Sequence, residues 1–491
     1  MDIASVKVRV GHREQALLPS AIFLLILATS FCLGMYVFQY HSERWMFWVS
    51  YIIFGTLLSF LLIFKFPKDP FEPIMPVTAM YFFYFYLRGF YLSYEQNLYL
   101  ANPFVVKNLY LLDKVMLYVT LGLLLFFIGY YSPAPRFLAR GIGDLHSQWN
   151  PATIQRKART LFFLGLPFVV SRIWGYSPFK FGEEFTSGLF MVLSYLCYIS
   201  LFVYAILYFS PEYRRKVSRE WFFFVIALLL VLGLLTRYRE PMILIIFILV
   251  VAHHYVKKSL SLKRLVFYGL IVVFLISPIG IGYRGATFSS TLSVKSRILQ
   301  MPSAMLESVE RYTGGMGNSS FITRYLIGFG EAMIDRLHGT DSVIAIVALV
   351  PDEKDYEWGK TIYFTPISAF IPRLIWPGKP ETGLGEFFRD NYWLGTGGRI
   401  AVTQVGELYL NFGLIGILLG MGVLGIFHRA FYEYFIRNKN YNALIFYGFS
   451  LFFFLAIERS FALTYATFIK LSVLLFFVFR YLNGKPLFKR A

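Results

Sequence analysis

The sequence predicts an all-α polytopic membrane protein with about twelve transmembrane helices and a large extracytoplasmic loop layer. Composition, recurring long apolar runs and the placement of basic residues lead to that class. Of 491 residues, 57% are hydrophobic, 20% aromatic and 15% charged, against about 45–50% apolar and about 25% charged in soluble domains. A soluble globule of this length has nowhere to hide so much apolar side chain. A bilayer solvates it, and Tyr and Trp rings gain at headgroup level, where one edge is wet.

A hydrocarbon core of about 30 Å takes about 20 apolar residues. Spans are expected near 17–38, 45–64, 74–92, 115–131, 161–174, 189–209, 221–235, 242–256, 265–283, 408–427, 443–457 and 465–481. The first run exceeds the ~7–15-residue core of a signal peptide and lacks a clear small-x-small cleavage pair, so it reads as a retained span. Cys32 and Cys197 both sit in apolar runs, as small core residues rather than a disulfide or a CxxC site.

Alternate connections carry the cations: Lys65 and Lys68; Arg136, Arg140, Arg156, Lys157 and Arg159; Arg214, Arg215, Lys216 and Arg219; Lys257, Lys258, Lys263 and Arg264; Arg429, Arg437 and Lys439. Lys7, Arg9 and Arg13 begin the chain, and Lys485, Lys489 and Arg490 end it. The positive-inside rule then puts both termini in the cytoplasm. The net charge of +19 is topological, and no nucleic-acid partner is expected.

The chain divides into an N-terminal bundle of about nine helices (1–283), a large loop with short helices (284–402) and a C-terminal bundle of about three (403–491). The loop far exceeds the ~12–15 residues of an ordinary structureless connection, and its acidic and basic residues balance, which reads as a small folded layer. Within it, Asp341 is expected to cap a helix over 342–350, too short to span, lying on the interface or re-entering. No repeat with a period of 20–50 residues appears, and no internal duplication of the transporter kind.

Short outward turns should be poor in arginine, yet Thr236-Arg237-Tyr238-Arg239-Glu240 and Glu458-Arg459 stand in two of them. Arg284 lies where the ninth span leaves the membrane and Arg88 within the third. Arginine at such depth faces a protein interior or an aqueous cavity, or snorkels to headgroups. Several guanidiniums at the outer rim would suit a membrane-borne diphosphate, whose oxygens the planar fork pairs with bidentately.

The loop supplies Phe370-Ile371-Pro372-Arg373-Leu374-Ile375-Trp376-Pro377-Gly378-Lys379-Pro380, in which proline holds each preceding residue extended. It reads as a binding element or as a loop anchored by Trp376. Gly397-Gly398-Arg399 and then Gly406-Glu407-Leu408-Tyr409-Leu410-Asn411-Phe412-Gly413 lead into the tenth span. Glu407 would sit at that helix's outer end, for chemistry or for the helix dipole. Upstream, Glu331, Asp335, Arg336, His338 and Asp341 share helical spacing, as an active face or a solvated one. Asp352, Glu353, Asp355 and Glu357 lack the spacing of a metal site. No nucleotide or serine-hydrolase motif appears, so no cofactor is expected.

On the Pro-Arg-x-x-Trp-Pro-x-Lys-Pro element, the Gly406–Gly413 motif and the overall topology, the chain resembles the Wzy-type repeat-unit polymerases of bacterial surface polysaccharides, including O-antigen and enterobacterial common antigen polymerases. The arginine turn at Arg237–Arg239 is a weaker match, without the Gly-Ser associated with that family. The resemblance implies a GT-C-like architecture in the bacterial inner membrane. It also implies transfer of a growing glycan from undecaprenyl diphosphate to a lipid-linked repeat unit at the periplasmic face, with a chain-length regulator as a possible partner. Under it, Arg237, Arg239, Arg284, Arg373 and Arg459 are expected to hold the diphosphate. Arg336, Trp376, Lys379, Arg399 and Tyr409 would contact the substrate. The base for the acceptor hydroxyl is expected among Glu407, Asp335 and His338. Tyr356, Trp358, Tyr363, Trp376, Tyr392 and Trp393 offer flat surfaces for sugars or for packing. An O-antigen ligase-like enzyme shares these features, and a lipid-linked sugar flippase is the alternative from another class.

Overall fold

Large apolar side chains are exposed along helix faces in this chain. Ile415, Leu419 and Val423 form a stripe along one helix and are 63–68% exposed, while Arg88, Asp341, Glu407 and His428 lie inside. An apolar outer face, with the few membrane-depth charges turned inward among apolar core residues, is what lipid favours. The computed structural model describes residues 45–64, 67, 69–93, 102–143, 145, 147, 149–174, 183–236, 240–271, 303, 320, 323, 330, 337–362, 371, 376, 384–393 and 400–484. The expected first span and Cys32 lie outside them; Cys197 is a buried free thiol.

The regular elements among the described residues are helices. In chain order they give α1 (Trp45–Phe64), α2 (Ile74–Tyr81, continuing through a wide π turn at Phe82–Leu87 into Arg88–Ser93), α3 (Leu112–Tyr131), α4 (Ala134–Gly141), α5 (Pro151–Trp174) and α6 (Glu183–Phe209). There follow α7 (Arg219–Leu235), α8 (Glu240–Ala252, continuing to Lys257), α9 (Leu262–Ile271), α10 (Gly339–Leu349), α11 (Gln404–Asn438), α12 (Tyr441–Phe454) and α13 (Phe461–Asn483). Among the described residues, five helical stretches are long and apolar enough to cross a membrane: Leu109–Tyr131, Leu189–Phe209, Glu240–Lys257, Gln404–Asn438 and Leu463–Asn483. This is a membrane-embedded helical protein.

Long-range bonds define the two ends of the bundle. At one, Thr403 N donates to Glu458 O (3.1 Å) and Gln404 N to Ile457 O (3.0 Å). At the other, Tyr255 and Tyr432 donate to Asp69 (2.6 and 3.1 Å), and Lys157 donates to the carbonyl of Tyr481 (2.7 Å). We call these the Thr403 end and the Asp69 end. One hydrophobic core joins α1, α2, α3 and α10 to the first part of α11; the other joins α5 to α8 with α12 and α13.

Glycine permits the tightest crossing. A Cβ on Gly129 of α3 would lie 2.1 Å from the carbonyl oxygen of Gly422, and one on Gly425 of α11 would lie 2.1 Å from that of Phe126. These backbones touch, as small residues allow between helices in lipid.

Three expectations need correction. Asp341 does not cap its helix: α10 starts at Gly339 with His338 at the cap position and no side-chain cap bond. Asp341 instead pairs with Arg88, because a buried guanidinium without a counter-charge would cost more than a lost cap. Nor does α10 lie on the interface, for its residues are buried almost throughout, packed among α2, α3 and α11. The expected tenth span is also not one continuous helix. Phe412 (φ −143°, ψ 16°) and Gly413 (φ 62°, ψ −148°) break α11 into a short half from Gln404 and a long half after Gly413.

Candidate functional site

The short half of α11 carries the Gly406–Gly413 motif, and the break in the helix explains its composition. Gly413 takes the left-handed φ that β-carbons resist, and a Cβ there would meet the Tyr356 hydroxyl at 2.8 Å. Breaking a helix frees backbone groups, which must find partners in a bilayer. Leu410 O accepts from Glu357 N at 3.0 Å. Asn411 Oδ1 accepts from Gly359 N at 2.8 Å, and its Nδ2 donates to Thr361 Oγ1 and to Glu407 O at 2.7 and 2.8 Å. Asn411 therefore splices the 357–361 segment into the gap.

Thr403, at the start of this half-helix, is a β-branched residue at φ 64°, ψ 153°, a conformation that costs about 1–3 kcal/mol. Its Oγ1 accepts from Gly406 N (3.1 Å) while its own N–H binds Glu458 O. Glu407 follows on the first turn, wholly buried. Its Oε2 accepts from Phe461 N at 2.5 Å, the first amide of α13. The carboxylate thus stands at the positive end of a neighbouring helix dipole as well as its own, which binds the 457–460 loop between two helix starts.

That loop presents charged side chains to both sides. Glu458 Oε2 accepts from Tyr84 Oη of α2 at 2.5 Å. Arg459 turns toward α8, where Nη2 donates to Glu240 Oε2 at 3.0 Å, and Tyr195 Oη donates to Glu240 Oε1 at 3.0 Å. Arg172, in the last turn of α5, donates to Ser194 Oγ at 3.3 Å, beside the Tyr195 that binds Glu240. The Arg459–Glu240 side chains retain 24% and 17% exposure. One turn along α2 from Tyr84, Arg88 binds Asp341 through Nε and Nη2, both at 2.8 Å, and that pair is sealed at 0% on each side. Arg88 also lies 5.0 Å from the Tyr91 ring centre. The sealed, bidentate pair fixes α10 to α2; the Arg459–Glu240 pair is only partly enclosed.

Of the residues expected at the site, the Thr403 end holds Glu407, Arg459, His338 and Tyr409. Tyr409 donates to Val350 O at 3.4 Å and stacks on Tyr118, with centroids 5.5 Å apart. His338 lies edge-on to Trp393 at 5.5 Å and starts the helix whose Ser342 binds Ala401 O at 2.5 Å. Trp376 is half-buried. Asp335, Arg336, Arg237, Arg239, Arg284, Arg373, Lys379, Arg399 and Tyr363 lie outside the described residues. Among the expected sugar-facing aromatics, Trp358 is 67% exposed, whereas Tyr392 and Trp393 are buried and serve packing. Asp352, Glu353 and Asp355 are exposed, and no group of three or more metal-ligating side chains converges among the described residues.

Sequence reasoning missed Arg172, Tyr195 and the role of Glu240. The available signal was the position of Arg172 at the same end of its span as the Arg237–Glu240 turn. No protein-family model matches the chain, and neither a curated protein nor a solved structure matches it significantly.

Proposed function

We propose that the chain is a glycosyltransferase that polymerises oligosaccharide repeat units carried on undecaprenyl diphosphate, working at the Thr403 end on the outer face of a bacterial inner membrane. The observation that carries this reading is local. The Gly406–Gly413 half-helix on which the family resemblance rests folds against the 457–461 segment, so Glu407 and Arg459 flank one junction. Supporting the outward assignment, the exposed cations Arg136, Arg140, Arg214, Arg215, Lys216, Lys257 and Lys258 lie on the helices and turns of the Asp69 end, and cations of this kind favour the cytoplasmic side.

In the reaction the acceptor sugar hydroxyl gives its proton to a base and its oxygen bonds to the donor's anomeric carbon. The bond from that carbon to the carrier diphosphate breaks, and the diphosphate leaves with the electron pair. Arg459, joined by Arg237, Arg239 and Arg284, takes up the developing charge, as fixed guanidiniums do without reorganisation. His338 and Asp335 are the bases in this reading. Glu407, committed to Phe461 N, positions the Arg459 loop. Trp358 offers an open face for a sugar ring.

The test is a purified protein in nanodiscs, given a synthetic lipid-diphosphate repeat unit with EDTA and no nucleotide. A ladder of lengthening lipid-linked products that Arg459→Ala or Arg284→Ala abolishes is expected. Transfer only to a different, non-repeating acceptor would favour the ligase. A flippase is the second reading, favoured by the broken α11, since interrupted helices recur in transporters. Movement of the unit across a proteoliposome without lengthening would establish it in place of the polymerase.

A further inference from the structure

The Thr403 end contains two arginine–carboxylate pairs built to opposite plans. Arg88 and Asp341 are bidentate and closed. Arg459 reaches Glu240 through one terminal nitrogen, its remaining guanidinium nitrogens make no hydrogen bond to a described residue, and both side chains keep a path to solvent. Glu240 is fully engaged, with one oxygen on Arg459 and the other on Tyr195, and Arg172, bonded to Ser194 next to Tyr195, brings a second cation to the same junction. A guanidinium left half-unused beside solvent has donors to offer a larger anion than a carboxylate. A diphosphate brings more negative charge and more acceptor oxygens than Glu240 does.

We infer that Glu240 is an internal stand-in for the ligand: it holds the anion position of Arg459, and a diphosphate binds by displacing it, with Arg172 as the second cation. Glu240 is then a latch. It keeps Arg459 from being a bare charge at membrane depth, where an unpaired cation is costly, and it weakens diphosphate binding by the work of its own displacement. Tyr195 sets how firmly the latch holds, because it restrains the second oxygen of the same carboxylate. The inference rests on the proposed function only in taking the anion to be a lipid-borne diphosphate.

Binding of inorganic pyrophosphate and of farnesyl diphosphate to the full-length protein in detergent tests it, with no glycan present. Glu240→Gln is expected to tighten both by about tenfold, equivalent to about 1.4 kcal/mol, and the gain is expected to vanish when Arg459→Gln is added. Arg172→Gln should weaken both probes. Tyr195→Phe, which leaves every charge in place, should tighten binding more modestly and carries the test if Glu240→Gln fails to fold. Unchanged or weaker binding in a folded Glu240→Gln or Tyr195→Phe protein would overturn the latch, as would a gain that survives the loss of Arg459. A gain for pyrophosphate without one for farnesyl diphosphate would overturn the lipid-borne assignment. Because the readout needs no polymerisation, a silent polymerase assay beside a Glu240-dependent gain would sink the proposed reaction and leave the anion site standing.

Discussion

The two ends of the bundle treat buried charge in contrasting ways. At the Asp69 end the Asp69–Glu72 loop is tied on every side. Asp69 accepts from Tyr255, Tyr432 and the amide of Phe71 and lies 3.4 Å from His254 Nε2. Leu260 N donates to His254 Nδ1 at 3.0 Å, which places the imidazole proton on Nε2, toward Asp69. Glu72 accepts from Tyr130 at 3.0 Å and from Arg429, Arg429 also binds Glu433 at 2.7 Å, and Tyr447 donates to Phe71 O at 2.5 Å. Side chains from α3, α8, α11 and α12 thus close on one short loop. At the Thr403 end a β-branched residue sits at positive φ, a helix is interrupted and Arg459 is only partly engaged. A saturated network fixes structure; an incompletely engaged one, held by surrounding constraint, is where a ligand has something to gain.

The largest losses of stability are expected at the saturated end. Asp69→Ala strands the Tyr255 and Tyr432 hydroxyls and the His254 N–H together, and by analogy with other broken buried pairs should cost about 3–5 kcal/mol. Thermal unfolding in detergent should show a large fall, and an unchanged midpoint would mean that the network holds nothing. Arg88→Met should cost a similar ~3–5 kcal/mol by leaving Asp341 buried alone, with recovery in Arg88→Met/Asp341→Leu. Gly425→Val forces α11 off the backbone of α3 and is expected to cost about 1–3 kcal/mol or more, read on the same scale.

Smaller stability effects sharpen the contrast from the functional side. Arg459→Gln leaves Glu240 without its cation in a mostly enclosed setting and should cost about 1–3 kcal/mol, while abolishing diphosphate binding and chain growth. Glu407→Gln keeps an acceptor for Phe461 N and is expected to lower polymer yield partially. Complete loss in a protein of normal melting temperature would restore Glu407 as the base. Arg136→Gln, whose side chain is 69% exposed beside Glu433, should move stability by no more than about 0.5 kcal/mol.

The helices were legible because twenty apolar residues in a row have few other fates; 45–64 is helical over the expected bounds. The break in α11 was hidden, since Phe412-Gly413 sits inside an apolar run where glycine reads as tolerated, and only the distant Tyr356 and Glu357 explain it. Pairings were hidden for the same reason: Arg88 and Asp341 are 253 positions apart, and Arg459 and Glu240 are 219. The tyrosines were only half understood. Tyr130, Tyr255, Tyr432 and Tyr447 are not headgroup anchors but hydroxyl donors inside the bundle. A phenol can carry one polar atom into an apolar layer at modest cost when a partner waits there. Which partner waits is decided by the fold.

The splice at Asn411 makes the 357–361 segment and the short half of α11 mechanically one piece. Because the amides of Glu357 and Gly359 are bonded to Leu410 and Asn411, any tilt of the short half of α11 carries the exposed Trp358 with it. A fluorophore at that tryptophan would therefore act as a pointer fixed to the broken helix, turning a displacement deep in the bundle into a visible swing at its rim.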